Sequence, residues 1–187
     1  MAVLLGLDPG FASIGYAIVN ISDPYKEVVQ KLGVAMTEKS SNKTRVLATE
    51  DNFRRAKVIA SYIRPYALTV DAICVEAMSY PRNASTAAKL ALFWGVLAAV
   101  VEDLSIPVVQ VSPQNIKSFL CSKKTASKLE VKEAVLYRFA QCKRSKMALD
   151  DYLSRYPKTK QEHGFDALGA VLSSLDSDII LAVRSRK

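Results

Sequence analysis

The chain opens Ala2-Val3-Leu4-Leu5-Gly6-Leu7-Asp8-Pro9-Gly10 and, four residues later, resumes Gly15-Tyr16-Ala17-Ile18-Val19-Asn20. Ala2–Leu7 is a short apolar run closed by turn-forming Asp-Pro-Gly, which reads as a buried strand. The run from Gly15 reads as its hairpin partner, with Pro9 to Ser13 making the turn. Val28–Met36 supplies a third strand, antiparallel to the second. The hairpin stations one acid, Asp8, at the exit of a buried strand. A carboxylate there is costly to bury unless it is paired or binds a cation.

Beyond the hairpin, Ser40–Thr44 is polar and loop-like. Arg45–Tyr66 places Val46, Leu47, Phe53, Ala56, Ile59, Ala60 and Ile63 close to a helical period, with Pro65 punctuating its end. Ala72–Val75 is a short strand that ends at Glu76. Ala84–Leu104 is a strongly apolar helix, Pro107–Val111 a fifth strand, and Pro113 opens a helix toward Leu120. Ser122–Lys128 is a basic loop, and Ser127 with Glu130 forms a capping box ahead of Val131–Ala140. Lys143–Gln161 reads as a polar, basic connection with one short helix around Met147–Tyr156. Phe165–Leu175 is the closing helix, with Asp166 in its first turn. The order β-β-β-α-β-α-β-α-α implies an α/β fold. Its mixed five-stranded sheet is flanked by helices, antiparallel at its start and then parallel through right-handed crossovers.

The 187 residues, half of them hydrophobic, suit one domain (1–187) and are short for two. A 24% charged share excludes wholesale disorder. The net charge is +8, and its location matters more than its size. Between Lys117 and Lys160 lie twelve lysines and arginines against four acids, a surplus equal to that of the whole chain. Such a block, 117–160, fits a surface that faces a polyanion, or an ordinary solvated face. Three cysteines without a CxxC pair, and a lone histidine, make a disulfide framework or a structural zinc site poor readings. No signal peptide is recognisable, so a cytoplasmic protein is expected rather than a secreted one. The longest apolar run, Leu90–Val101, falls short of the ~20 residues that span a bilayer, so no membrane partner is expected.

Asp8, Glu76 and Asp166 stand out by position. If the strands carrying Asp8 and Glu76 are neighbours, their carboxylates converge at one rim of the sheet, where α/β folds gather ligands. Each acid also has a plainer explanation. Asp8 serves as a turn former, Glu76 as a partner for Arg82, and Asp166 as an acid near a helix N-terminus. Taken together, with the basic segment lying between the second and the third, they favour a metal site. Clustered carboxylates select a hard divalent cation such as magnesium. Two such ions ~3.5–4 Å apart suit phosphodiester hydrolysis.

Five segments, in order along nearly the whole chain, resemble the motifs of RuvC-type Holliday junction resolvases. They are Leu5-Gly6-Leu7-Asp8-Pro9-Gly10 with Gly15-Tyr16; Val75-Glu76 with the helix after it; Pro113-Gln114-x-Ile116-Lys117; Ala126-x-Lys128-x-x-Val131; and His163-x-x-Asp166-Ala167. The resemblance implies an RNase H-like fold and a homodimer. It also implies Mg2+-dependent cleavage, with Mn2+ able to substitute, of two strands of a four-way DNA junction. By position it makes Asp8, Glu76 and Asp166 metal-binding catalytic carboxylates. His163 falls where many members carry a further acid and some a histidine. Lys117 and Lys128 match DNA-contacting positions, and Lys123 and Lys124 share their loop, as point charges toward phosphates.

Tyr80 is a candidate for stacking on an unpaired base, although the family's aromatic falls one residue earlier, at Ser79. Phe11 is a weaker candidate and better read as core, as is one of Phe93 and Trp94. The apolar helix around them is hydrophobic nearly all round, which suits burial by a second subunit. The loop Cys121-Ser122-Lys123-Lys124-Thr125 lacks the family's usual glycines, and the connection before His163 is longer and more basic. Both imply relaxed sequence preference and activity on forks, flaps and other branched DNA. Two other classes compete. An ATP-binding actin-like domain shares the Asp-x-Gly turn but needs two domains. A non-catalytic binder of branched nucleic acid would not need all three acids.

Overall fold

Leu4, Leu5 and Leu7 are all but inaccessible to solvent, so the strand that carries them, β1 (Val3–Asp8), lies at the centre of the molecule. The computed structural model describes residues 2–23, 26–38, 47–78 and 83–186. β2 (Ser13–Asp23) pairs antiparallel with β1, and β3 (Lys26–Met36) antiparallel with β2. β4 (Ala72–Glu76) runs parallel to β1, and β5 (Val108–Val111) parallel to β4. The order across the sheet is β3-β2-β1-β4-β5. This is the mixed five-stranded sheet expected from the sequence. The expected loop at Ser40–Thr44 and the candidate Tyr80 fall outside the described residues.

Strand alternation sorts the side chains onto two faces. Leu5, Leu7, Ile73 and Val75 face α1 (Ala48–Ala67) and α2 (Ala84–Leu104), which cover one side through Ile59, Ile63, Phe93 and Leu97. Leu4, Ala72 and Cys74 face the other side. It is covered mainly by α5 (Lys143–Arg155) and α6 (Lys158–Leu172), with α3 (Pro113–Cys121) and α4 (Lys128–Phe139) against α6. A last helix, α7 (Asp178–Ser185), adds Ile180 and Val183 to this core. Phe11 and Phe93 are core residues, and Trp94 is partly buried edge-on against Phe93.

Four features differ from the sequence expectation, one being α7, which follows the helix expected to close the chain. α1 runs through Pro65 to Ala67, because a proline in the last turn removes few helical hydrogen bonds. The short helix expected around Met147–Tyr156 is present as α5 but starts earlier, at Lys143, and α6 begins at Lys158 rather than Phe165. α5 docks on β3 by burying Ser145, Leu149 and Tyr152. The backbone N–H of Val29, beside a register shift in the β2–β3 ladder, donates to Ser145 Oγ at 3.0 Å. The hydroxyl thus serves a donor that the irregular ladder leaves unpaired. Tyr152 fastens α5 to α6: its hydroxyl donates to Gln161 O at 2.9 Å and accepts from Gly164 N at 3.0 Å.

α2 is long and apolar enough, by length and composition, to cross a membrane, which the shorter run Leu90–Val101 did not indicate. One line, Phe93, Leu97 and Val100, is buried on the sheet and α1. On the opposite face Ala84, Ala88, Ala91, Leu92, Gly95 and Ala99 are exposed. A Cβ added at Gly95 would meet nothing within 4 Å.

Candidate active site

The same alternation that buries Leu5 and Leu7 on one face turns Asp8 and Glu76 toward the other, the α6 face. The register pairs Leu7 with Val75, so the next residues, Asp8 and Glu76, end adjacent parallel strands at one rim. α6 lies directly over that rim because two glycines let it. A Cβ on Gly6 would fall 2.2 Å from Ala167 O, and one on Gly15 would fall 1.9 Å from His163 O. With hydrogen in their place, α6 seats on β1 and β2 and carries His163 and Asp166 to the strand ends.

There, His163 Nδ1 lies 2.7 Å from Asp8 Oδ2. With Asp8 ionised the carboxylate accepts only, so the contact is an Nδ1–H donating to Asp8, the tautomer in which Nε2 is free to accept. Lys128, at the start of α4, sets its ammonium 2.7 Å from Glu162 Oε2 and 3.8 Å from Asp166 Oδ2.

Burial is the largest influence on all three acids and makes each harder to ionise. Glu76 is pushed up to about 8, by burial first and then by Asp8 and Asp166. Asp166 is pushed up to about 6 by burial and then by Asp8. Asp8 is raised by burial despite the opposing influence of His163. Lys128 favours the charged form of all three. These acids therefore lie within electrostatic reach of one another, at a site that gains from positive charge. Among the described residues no three His, Cys, Asp or Glu side chains are gathered tightly enough to enclose an ion. Carboxylate oxygens at an open rim nonetheless match the donor chemistry of a hard divalent cation, which keeps several waters.

The electrostatics carry a stability prediction. Glu76 holds its proton more tightly in the folded chain than its ordinary value near 4.5. The folded state therefore binds more protons, and stability falls as pH rises from about 4.5 toward 8. Glu76→Gln removes the charge and keeps the shape. In metal-chelating buffer at pH 7 it raises stability by about 1–2 kcal/mol, or ~3–6 °C in Tm. Thermal melts at pH 4 and pH 7 check the sign, because the gain vanishes at pH 4.

The structure also places the DNA-binding candidates. Lys117, on α3, lies close enough to Glu76 to favour its ionisation. Lys123 is engaged with Glu130, and Lys124 sits in the exposed turn beside it. Lys117 and Lys128 thus join the site, whereas Lys123 is committed to a surface ion pair.

Sequence reasoning missed Arg55, which is buried on α1. Its guanidinium stacks on Phe11, 4.5 Å from the ring centroid, and donates to Phe11 O at 3.2 Å and Thr37 Oγ1 at 2.9 Å. It anchors the turn that follows Asp8. The signal was its spacing, four residues before Ile59 on the line Arg55, Ile59, Ile63, Ala67. Lys160, whose ammonium donates to Ser13 Oγ at 2.8 Å, was likewise read only as part of a charge block.

Comparisons with known proteins bear on this site. The family model described as crossover junction endodeoxyribonuclease RuvC matches residues 4–150. The crossover junction endodeoxyribonuclease RuvC of Prochlorococcus marinus (strain MIT 9312) is 27% identical over 175 residues, covering 94% of this chain and 97% of its own. That of Natranaerobius thermophilus is 26% identical over 133 residues, covering 71% and 78%. Among solved structures, T. thermophilus RuvC in complex with Holliday junction substrate superposes with a TM-score of 0.67 at 20% identity, covering 100% of this chain and 96% of that one. The yeast mitochondrial Holliday junction resolvase Ydc2 gives 0.66 at 14% identity, covering 98% and 80%. At these identities the structural likeness establishes the RNase H-like fold.

Proposed function

The chain belongs to the crossover junction endodeoxyribonuclease RuvC family, and from that premise we propose that Asp8, Glu76, His163 and Asp166 are the cutting site of a Holliday junction resolvase. Family membership makes it a divalent-metal-dependent endodeoxyribonuclease of DNA recombination and repair. The observation that carries the residue assignment is the convergence of Asp8 and Glu76, on adjacent strand ends, with the two α6 residues seated over them.

In this reading Asp8, Glu76 and Asp166 hold Mg2+, with Mn2+ able to replace it. A cation bound there supplies Lewis acidity toward a phosphate oxygen and lowers the pKa of an attacking water. The chain's own residues do the rest. Asp8 fixes the His163 tautomer through Nδ1–H, so that Nε2 can accept a proton from water or orient it. Lys128 balances the acids and faces the phosphates, joined by Lys117 from α3. Lysines in these places contribute affinity rather than sequence reading.

The substrate is a four-way junction, and the working unit a homodimer. The exposed small-residue face of α2 lets a second copy approach closely, and a two-fold pair presents one site to each of two strands. A labelled four-way junction tests the whole reading. With Mg2+ the protein introduces nicks placed symmetrically across opposing strands, and the protein sediments at twice the chain mass. Nicks scattered over any branched DNA would favour a general branch nuclease, and binding without cleavage would favour a binding protein.

A further inference from the structure

Four of the twelve basic residues between Lys117 and Lys160 are paired with carboxylates. Lys123 pairs with Glu130, Lys128 with Glu162, Arg138 with Glu27 and Arg155 with Asp151. Lys132 is different. Its ammonium donates to Gln161 Oε1 at 2.8 Å and lies 5.7 Å from the centroid of the Phe165 ring. Gln161 is buried, and its Nε2 donates to Leu153 O at 3.1 Å and Tyr156 O at 2.8 Å. Those two carbonyls fix the direction of the amide, so its oxygen must be the atom that faces Lys132. Among the described residues, Lys132 is therefore held in place by neutral groups, without an ion-pair partner. A free lysine side chain loses rotamer entropy on being ordered. Here much of that ordering is already done in the folded chain.

Lys132 lines a cleft of about 230 Å³ together with Lys128, Lys158, Gln161, Phe165 and Asp166. Lys158 is exposed at its mouth, also without a carboxylate partner among the described residues. Asp166 belongs both to this cleft and to the acid cluster, so a strand whose phosphodiester lies over the acids runs directly into it. Glu162 also lines the cleft, but it is paired with Lys128.

We propose that this cleft seats a backbone phosphate of the cut strand, adjacent to the scissile one, with Lys132 and Lys158 donating to its non-bridging oxygens. Gln161 is the positioning residue that keeps Lys132 aimed. The inference rests on the resolvase reading and adds residues outside the family motifs quoted above. It makes the α4–α6 cleft a register pin, which sets which phosphate lies over the acids.

The test measures binding of the full-length protein to a labelled four-way junction in metal-chelating buffer, from 50 to 300 mM salt. Lys132→Ala with Lys158→Ala weakens binding about 10- to 100-fold, and the slope of log K against log salt becomes shallower by about 1 to 2. Gln161→Met removes no charge, yet weakens binding about 3- to 10-fold because Lys132 is released. Lys132→Arg with Lys158→Arg keeps both charges and stays within about 3-fold of the parent. Lys158 is exposed whereas Lys132 is half-buried against Gln161 and Phe165, so thermal melts accompany the double alanine variant; Lys158→Ala alone keeps the parent Tm, weakens binding about 3-fold, and decides the matter if the other variants misfold. A double alanine variant with unchanged affinity and slope, from a parent that cuts junctions, overturns the cleft alone. A parent that neither binds nor cuts junctions overturns the resolvase reading and the cleft with it.

Discussion

Asp8→Asn abolishes cleavage of a four-way junction, by about 10³-fold or more in single-turnover rate, while junction affinity stays within a few-fold of the parent. Asp8 is where three influences meet. It ends the central strand, it receives the His163 Nδ1–H at 2.7 Å, and it raises the pKa of both Glu76 and Asp166. An asparagine keeps the volume but supplies a neutral oxygen, a weak ligand for a hard cation. It also leaves His163 without its anionic partner, so the imidazole loses the group that fixes its tautomer. Removing one negative charge from a surface that meets phosphates does not weaken binding, and at low salt strengthens it slightly. The measurement pairs single-turnover cleavage in Mg2+ with binding in chelator. Cleavage retained in Mg2+ would remove Asp8 from the site.

Gly15→Ala is expected to cost about 3 kcal/mol or more of stability and at least about 100-fold in cleavage rate. Its Cβ would arrive 1.9 Å from His163 O, an atom of the helix backbone that no side-chain rotation can clear. Relief requires α6 to lift from β2, which loosens the packing of Phe165, Leu168 and Leu172 and shifts His163 away from Asp8. Overpacking of this kind usually costs 1–3 kcal/mol, and a contact with backbone belongs at or above the upper end. A displacement of about 1 Å at a reacting centre is worth about 100-fold in rate. Asp150→Ala is the control, since Asp150 is exposed on α5, outside both the acid site and the small-residue face of α2, and such surface changes stay within about 0.5 kcal/mol. Chemical denaturation and the cleavage assay on both variants separate the two cases. A Gly15 variant as stable and active as the parent would mean that α6 does not need this close approach.

The legibility of the chain follows from the reach of each interaction. The strand Ala2–Leu7, its turn and its acid were readable because apolar alternation and turn chemistry act over a few residues. The Ser127–Glu130 capping box was readable for the same reason, and it forms as expected. Asp8 and Glu76 were also legible as strand-end acids, since each simply follows an apolar run. The segment 143–164 was legible only in part. The body of α5 was expected around Met147–Tyr156, but its start at Lys143 was not, because the first turn buries only Ser145 and carries no apolar signal. The first turns of α6, Lys158 to His163, carry no large apolar residue at all. They are helical because Tyr152, from the preceding helix, bonds Gln161 O and Gly164 N.

The sequence by itself determined the hairpin, the mixed sheet, the three acids and the basic block between them. Which charges in that block are free, which amide aims Lys132, and how close His163 comes to Asp8 were decided only by the tertiary structure. Those outcomes depend on pairings between residues 29 and 155 positions apart, made through Gln161 and across the glycines that admit α6. Local propensity carries no record of such distant partners.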